Sequence, residues 1–163
     1  MENLEILWLD DQRDPIKYFK KKPTKEEGTL FRNLTYYKNN IFNRYNVNFT
    51  WVKSYDEFVE YITNNGVPQF ISFDYDLKNG RSNVEGKLPT GMDCANWLME
   101  YCKENGVSIP KCYVHSANTK HGPELNRMLG LSENKKTLKI TESKLRELVT
   151  ECVKNTLKEY FKN

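Results

Sequence analysis

The feature of this sequence that most constrains its fold is the alternation of short strand-like segments with longer segments of helical periodicity. Val47–Val52 alternates with the period of two that is typical of a strand. Three short apolar runs predict buried strands over Leu4–Leu9, Phe70–Phe73 and Ile109–Val114. Strands and helices in alternation indicate an α/β fold with a mostly parallel sheet and right-handed crossovers. In such sheets, sites form beyond the carboxyl ends of the strands.

The helical segments are marked by apolar spacing and by capping signals. Residues 29–45 place apolar side chains at helical spacing, and capping boxes at Ser54 and Thr90 begin two further helices. A short helix is predicted over Pro123–Leu129, and a final amphipathic helix over about 141–161. Together with the strands, these segments complete the alternation.

The domain organisation follows from length and from the remaining segments. A chain of 163 residues suits one compact domain, so we predict a single domain over residues 1–163. The polar stretch 17–28 is predicted to be a loop. Thr137–Ile140 predicts a weak fifth strand, so the expected sheet has four or five strands.

Composition excludes several classes of protein. Charged residues make up 29% of the chain, mean hydropathy is −0.78, and no apolar run approaches the roughly 18–20 residues that cross a bilayer. The acidic start lacks the features of a secretory signal, so we expect a cytoplasmic protein, bacterial or viral in a host cytoplasm. The net charge of +3 is too small to predict binding to double-stranded DNA. The four cysteines form no C-x-x-C pair, which favours reduced thiols.

Acidic residues directly follow two of the predicted strands. Asp10 and Asp11 come after the first strand, and Asp74 and Asp76 come after the third. At one edge of a parallel sheet these carboxylates repel one another unless a cation joins them or some are protonated. A hard divalent cation with oxygen ligands resolves that repulsion, so we predict a Mg²⁺ or Mn²⁺ site at these four residues. The alternative is a turn or capping role, as expected for Asp14.

A second group of polar residues follows the fourth strand. His115 beside carboxylates suits a general acid or base near neutral pH, and Asp74 and Asp76 join it as candidate catalytic residues. Ser116 and Asn118 are candidates for binding phosphate or orienting a water. Their alternative role is to cap the helix that follows.

Three further features point to an anionic ligand. Arg13 lies beside the first acid pair, and its guanidinium suits a phosphate. Thr90 and Gly91 begin a helix, whose free N–H groups attract anions. Residues 17–53 hold nine Lys and Arg against two Glu, and form either a lid over an anion or a solvated helix face. We therefore expect a small anionic ligand that carries a phosphate.

Four short motifs follow one another in a recognisable order. Residues 9–15 read L-D-D-Q-R-D-P, and residues 71–77 read I-S-F-D-Y-D-L. Residues 90–93 read T-G-M-D, and residues 114–118 read V-H-S-A-N. Together they resemble the L-D-D-x-R-x-P, I-S-x-D-H-D-L, T-G-x-D and V-H-S-A-N motifs of the cyclic-phosphate processing receiver-like family. The resemblance runs from Leu4 to about Gly130 and does not include the final helix. It implies that residues 17–45 are a segment inserted after the first strand.

The resemblance implies a three-layer, receiver-like (flavodoxin-like) fold. It also implies a role in processing cyclic phosphates or nucleotide-derived signals, and therefore a small anionic nucleotide or cyclic-phosphate ligand. Tyr75 stands where the family usually has histidine, which removes one candidate acid, base or metal ligand. The loop from Asn118 to Gly122 is one residue longer than usual, which alters its anion contacts, and His121 within it is a candidate replacement.

Three functional hypotheses follow. The first is a metal-assisted phosphoesterase acting on a cyclic phosphate or a cyclic-nucleotide-type signal. The second is a protein that sequesters such a signal without turnover, for example a phage protein that intercepts a host defence signal. The third, ranked below these, is a phosphorelay receiver domain. Such domains carry Ser or Thr followed by Ala after the fourth strand, and Ser116-Ala117 is similar to that pair. Such a receiver also needs a lysine after the fifth strand, and Lys139 is poorly placed for it.

Overall fold

The central sheet is built from four strands: β1 (Glu2–Leu9), β2 (Tyr45–Val52), β3 (Phe70–Phe73) and β4 (Lys111–Val114). This is a computed structural model, which describes residues 1–21, 28–80, 82 and 86–130. All four strands are parallel, in the order β2-β1-β3-β4. The predicted α/β fold with a parallel sheet is confirmed. β4 begins later than predicted, directly after Pro110, which has no N–H to donate to a ladder.

Five α-helices occur in the described residues. They are α1 (Pro15–Lys20), α2 (Gly28–Tyr37), α3 (Tyr55–Asn65), α4 (Gly91–Glu104) and α5 (Gly122–Met128). A π-helical turn, Lys38–Phe42, continues α2, so the helix predicted over 29–45 ends where β2 has to begin. The helices predicted after Ser54 and Thr90 and near Pro123 are confirmed.

The predicted loop over 17–28 is wrong in its first part, because α1 extends to Lys20. The Asp14 carboxylate caps this helix by accepting the N–H groups of Ile16 and Lys17 at 2.9 and 3.3 Å, and Pro15 occupies the first turn. The helix has six residues, too few for a helical period to emerge from the sequence.

Side chains of each strand alternate between two faces of the sheet, and a different core covers each face. On one face, Leu7 and Leu9 pack with residues of α3 and α4. On the other face, Ile6 and Trp8 pack with the chain between β1 and β2. The buried partners on that second face are Tyr18, Leu30, Tyr37 and Ile41.

The segment predicted as an insertion, residues 17–45, is therefore part of the core of the fold. Its described residues form most of the crossover from β1 to β2 and cover one face of the sheet. The rings of Phe19 and Tyr37 lie 5.5 and 6.0 Å from that of Trp8. Aromatic contacts of this kind bury large areas, so the crossover contributes directly to stability.

The described residues belong to one compact unit, Met1–Ser132. The predicted fifth strand, Thr137–Ile140, and the final helix over about 141–161 lie outside the described residues, so the single domain over 1–163 stays a prediction. No described helix has the length and apolar character to cross a membrane. The cytoplasmic location also stays a prediction.

Candidate functional site

The candidate site lies at the carboxyl ends of β1 and β3, where the strand order changes direction. The chain leaves β1 towards β2 on one side and returns to β3 on the other. Open α/β sheets form ligand sites at such topological switch points. Just beyond their strands, the N–H groups of Asp10, Asp74 and His115 still donate to carbonyls of the neighbouring strands, at 3.0, 2.8 and 2.9 Å. The backbone therefore fixes the three residues relative to one another.

The period of two along each strand places the polar residues on one face. Trp8 and Asp10 share a face of β1, as do Ser72 and Asp74 on β3, and the register pairs Trp8 with Ser72. His115 joins them from the end of β4. The crossover from β1 to β2 covers this face, so these side chains are withdrawn from solvent. Trp8, Asp10, Ser72 and His115 are fully buried.

The Asp10 carboxylate is the centre of the hydrogen-bond network. Its Oδ1 accepts the backbone N–H groups of Gln12 and Arg13 at 2.9 and 2.8 Å. Its Oδ2 lies 2.5 Å from Arg13 Nε and 3.1 Å from His115 Nε2. Because a carboxylate offers about four lone-pair sites, all acceptor capacity of Asp10 is used within the protein.

Arg13 joins the two strand ends through its guanidinium. Its Nη2 lies 2.6 Å from Asp74 Oδ2, while Nε pairs with Asp10. Burial alone raises the pKa of Asp10, but the hydrogen bond with His115 and the charge of Arg13 hold that pKa below its ordinary value. The Arg13 guanidinium thus offsets the repulsion expected between the Asp10 and Asp74 carboxylates. Arg13, assigned from the sequence to a ligand phosphate, is also a partner of both acids.

The His115 ring is enclosed on all sides. It stacks on Trp8 with 3.7 Å between centroids, and its Nδ1 lies 2.8 Å from Ser72 Oγ. Because an ionised carboxylate only accepts hydrogen bonds, His115 donates from Nε2 to Asp10 and accepts from the Ser72 hydroxyl at Nδ1. Burial lowers the pKa of His115 below its ordinary value of 6.5, so the ring is neutral near pH 7. The predicted general acid or base is therefore closed off from the cleft in this conformation.

This burial predicts that the protein loses stability in mild acid. The folded pKa of His115 lies below the unfolded value of 6.5, so below that pH the unfolded chain binds more protons. With metal removed by a chelator, we expect the free energy of unfolding to fall by up to ~1.4 kcal/mol per pH unit as the pH is lowered below about 6.5. His115→Asn should flatten this slope in denaturant titrations. His121→Gln, which removes the other histidine, is the control and should keep it.

The network extends into the crossover through Asn33, which sequence analysis missed. Its amide donates to the His115 carbonyl at 3.2 Å and to the Tyr18 hydroxyl at 2.9 Å, and accepts from the Tyr113 hydroxyl at 2.9 Å. Asn33 is buried, so these bonds fix α2 above the site. The only sign of this role in the sequence is that Asn33 is a polar residue within the apolar face of the helix predicted over 29–45.

Three carboxylates lie close enough together to hold a cation. One oxygen each of Asp10, Asp11 and Asp74 fall within 4.8 Å of one another. Asp76, predicted as a fourth ligand, lies outside this group and accepts the Asn118 amide at 3.0 and 3.2 Å. Asp76 follows Asp74 by two residues, but the strand ends at Phe73, so the alternation no longer governs its direction.

An open cleft of about 460 Å³ adjoins the carboxylates, and we call it the acidic cleft. Arg13 and Lys78 contribute cationic groups to its wall, and the Lys78 N–H donates to Asp11 Oδ2 at 3.1 Å. The Arg13 side chain is 27% exposed there. The remaining lining residues are Gln12, Asp74, Asp76, Leu77, Thr90 and Ala117. The cleft therefore combines positive and negative groups, as a phosphate and a metal together require.

The other predicted phosphate contacts are used locally. The Thr90 N–H and hydroxyl both donate to the Asp93 carboxylate, at 2.7 and 2.8 Å, and the Gly91 N–H donates to the Tyr75 carbonyl at 2.8 Å. These donors are unavailable to an anion in this conformation. Thr90 lines the acidic cleft, whereas Gly91 is buried beneath it.

The loop after β4 is held to the loop after β3. Ser116 Oγ accepts the Asn118 N–H at 3.2 Å, and the Asn118 amide donates to the Asp76 carboxylate. The His121 ring stacks on Tyr75 with centroids 4.8 Å apart, and its Nδ1 lies 3.0 Å from a carboxylate oxygen of Glu124. His121 thus packs against the position where the family usually has histidine.

Comparison with known proteins places this site in a family. The model of the cyclic-phosphate processing receiver domain matches residues 5–130. No curated protein matches the chain. A solved fusion containing amino acids 181–211 of the yeast Spc42 trimeric coiled coil is 16% identical, with 100% of this chain and 99% of that chain covered, but its TM-score of 0.37 is too low to support an argument. The family match covers residues 5–130, which is most of this chain and includes the carboxyl ends of all four strands. The chain therefore belongs to the cyclic-phosphate processing receiver domain family.

Proposed function

We propose that this chain binds a cyclic phosphate in the acidic cleft and opens the phosphate ring by metal-assisted hydrolysis. The observation that supports this most is the group of three carboxylates beside a cleft that also carries Arg13 and Lys78. In the reaction a water oxygen bonds to phosphorus, one ring P–O bond breaks, and a proton of the water passes to the leaving oxygen. The product is a phosphate monoester.

The donor set suits Mg²⁺ or Mn²⁺, because Asp11 and Asp74 offer carboxylate oxygens and Asp10 adds a negative charge beside them. When bound, such a cation neutralises phosphate charge and lowers the pKa of an attacking water. Asp11 and Asp74 are the open ligands, since the capacity of Asp10 is already used. Arg13 competes with a cation for Asp74, and its guanidinium, once released, is available to a phosphate in the same cleft.

His115 acts in this proposal as a positioning residue. Its Nε2 holds Asp10 Oδ2, and Ser72 and Trp8 hold the ring. It is fully buried and does not line the cleft, so the proton for the leaving oxygen has to come from water or from a cleft residue. Asp76, exposed at the mouth of the cleft, is the carboxylate best placed to exchange a proton with solvent.

The test of the metal site is Asp11→Asn. We expect Mg²⁺ at about 100 times its Kd to stabilise the wild type by ~2.7 kcal/mol, measured by thermal shift, and the variant to lose most of that gain. The variant should be the more stable of the two without metal, because one carboxylate charge is removed from the group. In Asp11→Asn, the rate at which cyclic nucleotides are hydrolysed to monoesters, measured by phosphorus NMR, should fall together with the stabilisation by Mg²⁺.

Glu60→Gln provides the matched control, since Glu60 is an exposed carboxylate on α3 that neither lines the acidic cleft nor belongs to the group of three carboxylates. It should keep the metal response and the turnover of the wild type. An unchanged metal response in Asp11→Asn would show that Asp11 is only a turn residue, and the metal proposal would then be abandoned.

The second candidate function is binding of the same ligand without turnover. The enclosure of His115 favours it, because the histidine of the site has no path to a ligand. A sequestering protein returns its ligand intact after heat denaturation, whereas an enzyme releases monoester from excess substrate. The phosphorelay hypothesis needs Lys139, which lies outside the described residues, and no contact in the described site favours it.

A further inference from the structure

A second cavity adjoins the acidic cleft and has a different chemical character. It has a volume of about 610 Å³ and lies between the starts of α3 and α4 and the chain before α4. Tyr55, Tyr75 and Trp97 contribute aromatic rings to its wall, and Met92 adds an apolar side chain. We call it the aromatic cavity. Its size is typical of small-molecule sites, which are mostly apolar with a few polar groups.

The rings of the aromatic cavity are held in fixed orientations. Tyr75 stacks on His121 at an interplanar angle of 11°, and Trp97 stacks on Tyr101 at 26° with centroids 5.0 Å apart. Tyr75 and Trp97 also pack against the core cluster with part of their surface. Rigid aromatic rings at a cavity wall suit the flat face of a nucleobase, since every base can stack on them.

Polar groups line the same cavity along one face of α4. Asn96 and Glu100 are four residues apart, so they lie one above the other on the helix. An amide offers both donors and an acceptor, and a carboxylate accepts N–H groups. This pair matches the hydrogen-bonding edge of a base, which carries N–H donors beside ring-nitrogen and carbonyl acceptors.

The aromatic cavity and the acidic cleft are within reach of one small ligand. Thr90 lines both, and Asp74 of the cleft is followed directly by Tyr75 of the cavity. The shared Thr90 and the adjacent Asp74 and Tyr75 make the two openings neighbours on the protein surface. The phosphate half and the aromatic half of a nucleotide therefore have separate, adjacent places.

We propose that the aromatic cavity is a nucleobase subsite, so that the ligand of this chain is a nucleoside cyclic phosphate and not a base-free cyclic phosphate. This inference rests on the proposed function, because the phosphate of the same ligand occupies the acidic cleft. Tyr75 and Trp97 stack on the base, and Asn96 and Glu100 bond its edge.

The test compares ligands with and without a base. Adenosine and guanosine cyclic monophosphates with five- and six-membered phosphate rings are titrated against glycerol cyclic phosphates of the same ring sizes, in Mg²⁺, by calorimetry. We expect the nucleotides to bind at least about tenfold more tightly. Glu100→Gln and Asn96→Ala should each weaken nucleotide binding about tenfold, and leave glycerol cyclic phosphate binding within about twofold. Both residues are exposed, so folding is not at risk.

Glu104→Gln, an exposed carboxylate one turn further along α4 and outside the cavity, should change neither affinity. Equal affinity for nucleotides and glycerol cyclic phosphates overturns the base subsite while leaving the proposed function intact. Nucleotide binding that is unaffected by both variants overturns it as well. If neither class of ligand binds, with or without metal, the proposed function fails and the subsite fails with it.

Discussion

Asp10→Ala is expected to lower the free energy of unfolding by about 3–5 kcal/mol, the usual cost of removing one partner from a buried ion pair. Asp10 is fully buried and accepts from four groups, two of them backbone N–H groups and two belonging to Arg13 and His115 side chains. The substitution leaves these donors without an acceptor. Urea unfolding of the metal-free protein measures the loss, and excludes any contribution of a bound cation.

The neighbouring aspartate provides the control. Asp11 is half-buried and accepts a single described hydrogen bond, from the Lys78 N–H, so Asp11→Ala should cost less than about 1 kcal/mol. In an Arg13→Met background, Asp10→Ala should cost less than in the wild type, because the unpaired guanidinium is gone. Equal effects at Asp10 and Asp11 would contradict the central structural role given to Asp10.

Gly91→Ala is expected to cost about 3 kcal/mol or more, at the upper end for overpacking. A Cβ built at this position lies 1.9 Å from the Asp74 carbonyl oxygen and 3.1 Å from the Tyr75 Cα. Both obstacles are backbone, which has no rotamer by which to move aside. The start of α4 must therefore shift from the end of β3, and the Gly91 N–H bond to the Tyr75 carbonyl is lost. The midpoint temperature of thermal unfolding and the affinity for cyclic nucleotides should fall together, since Asp74 lines the acidic cleft and Tyr75 lines the aromatic cavity.

Gly28→Ala is the matched control. Gly28 also begins a helix, but no heavy atom of the described residues lies within 4 Å of a Cβ built there. The substitution should leave ligand binding unchanged and leave stability unchanged or slightly higher, because it reduces the entropy of the unfolded chain. If Gly91→Ala has the stability of the wild type, then the start of α4 does not lie against the Asp74 carbonyl as closely as the built Cβ distance of 1.9 Å requires. Gly91 is therefore required for the packing of α4 against the end of β3, whereas its position at a helix start predicted a contact with phosphate.

The sequence by itself determined the architecture, because strands and helices are encoded by local spacing. Apolar runs and the period of two gave β1, β2 and β3 to within two residues. The capping box at Thr90 placed the start of α4 at Gly91. The acids at the strand ends were also visible, since the end of an apolar run and the change to polar residues are adjacent in the chain.

The partners of those acids were decided only by the tertiary structure. Asp10 and His115 are 105 positions apart, and they meet because β1, β3 and β4 are neighbours in the sheet. Spacing along the chain does not encode strand order, so it could not show that Arg13 would join Asp10 to Asp74. Likewise, the burial of His115 depends on Trp8 and on α2 folding over the sheet. These contacts are set by long-range packing, whereas the identity of each element is set by residues within about four positions along the chain.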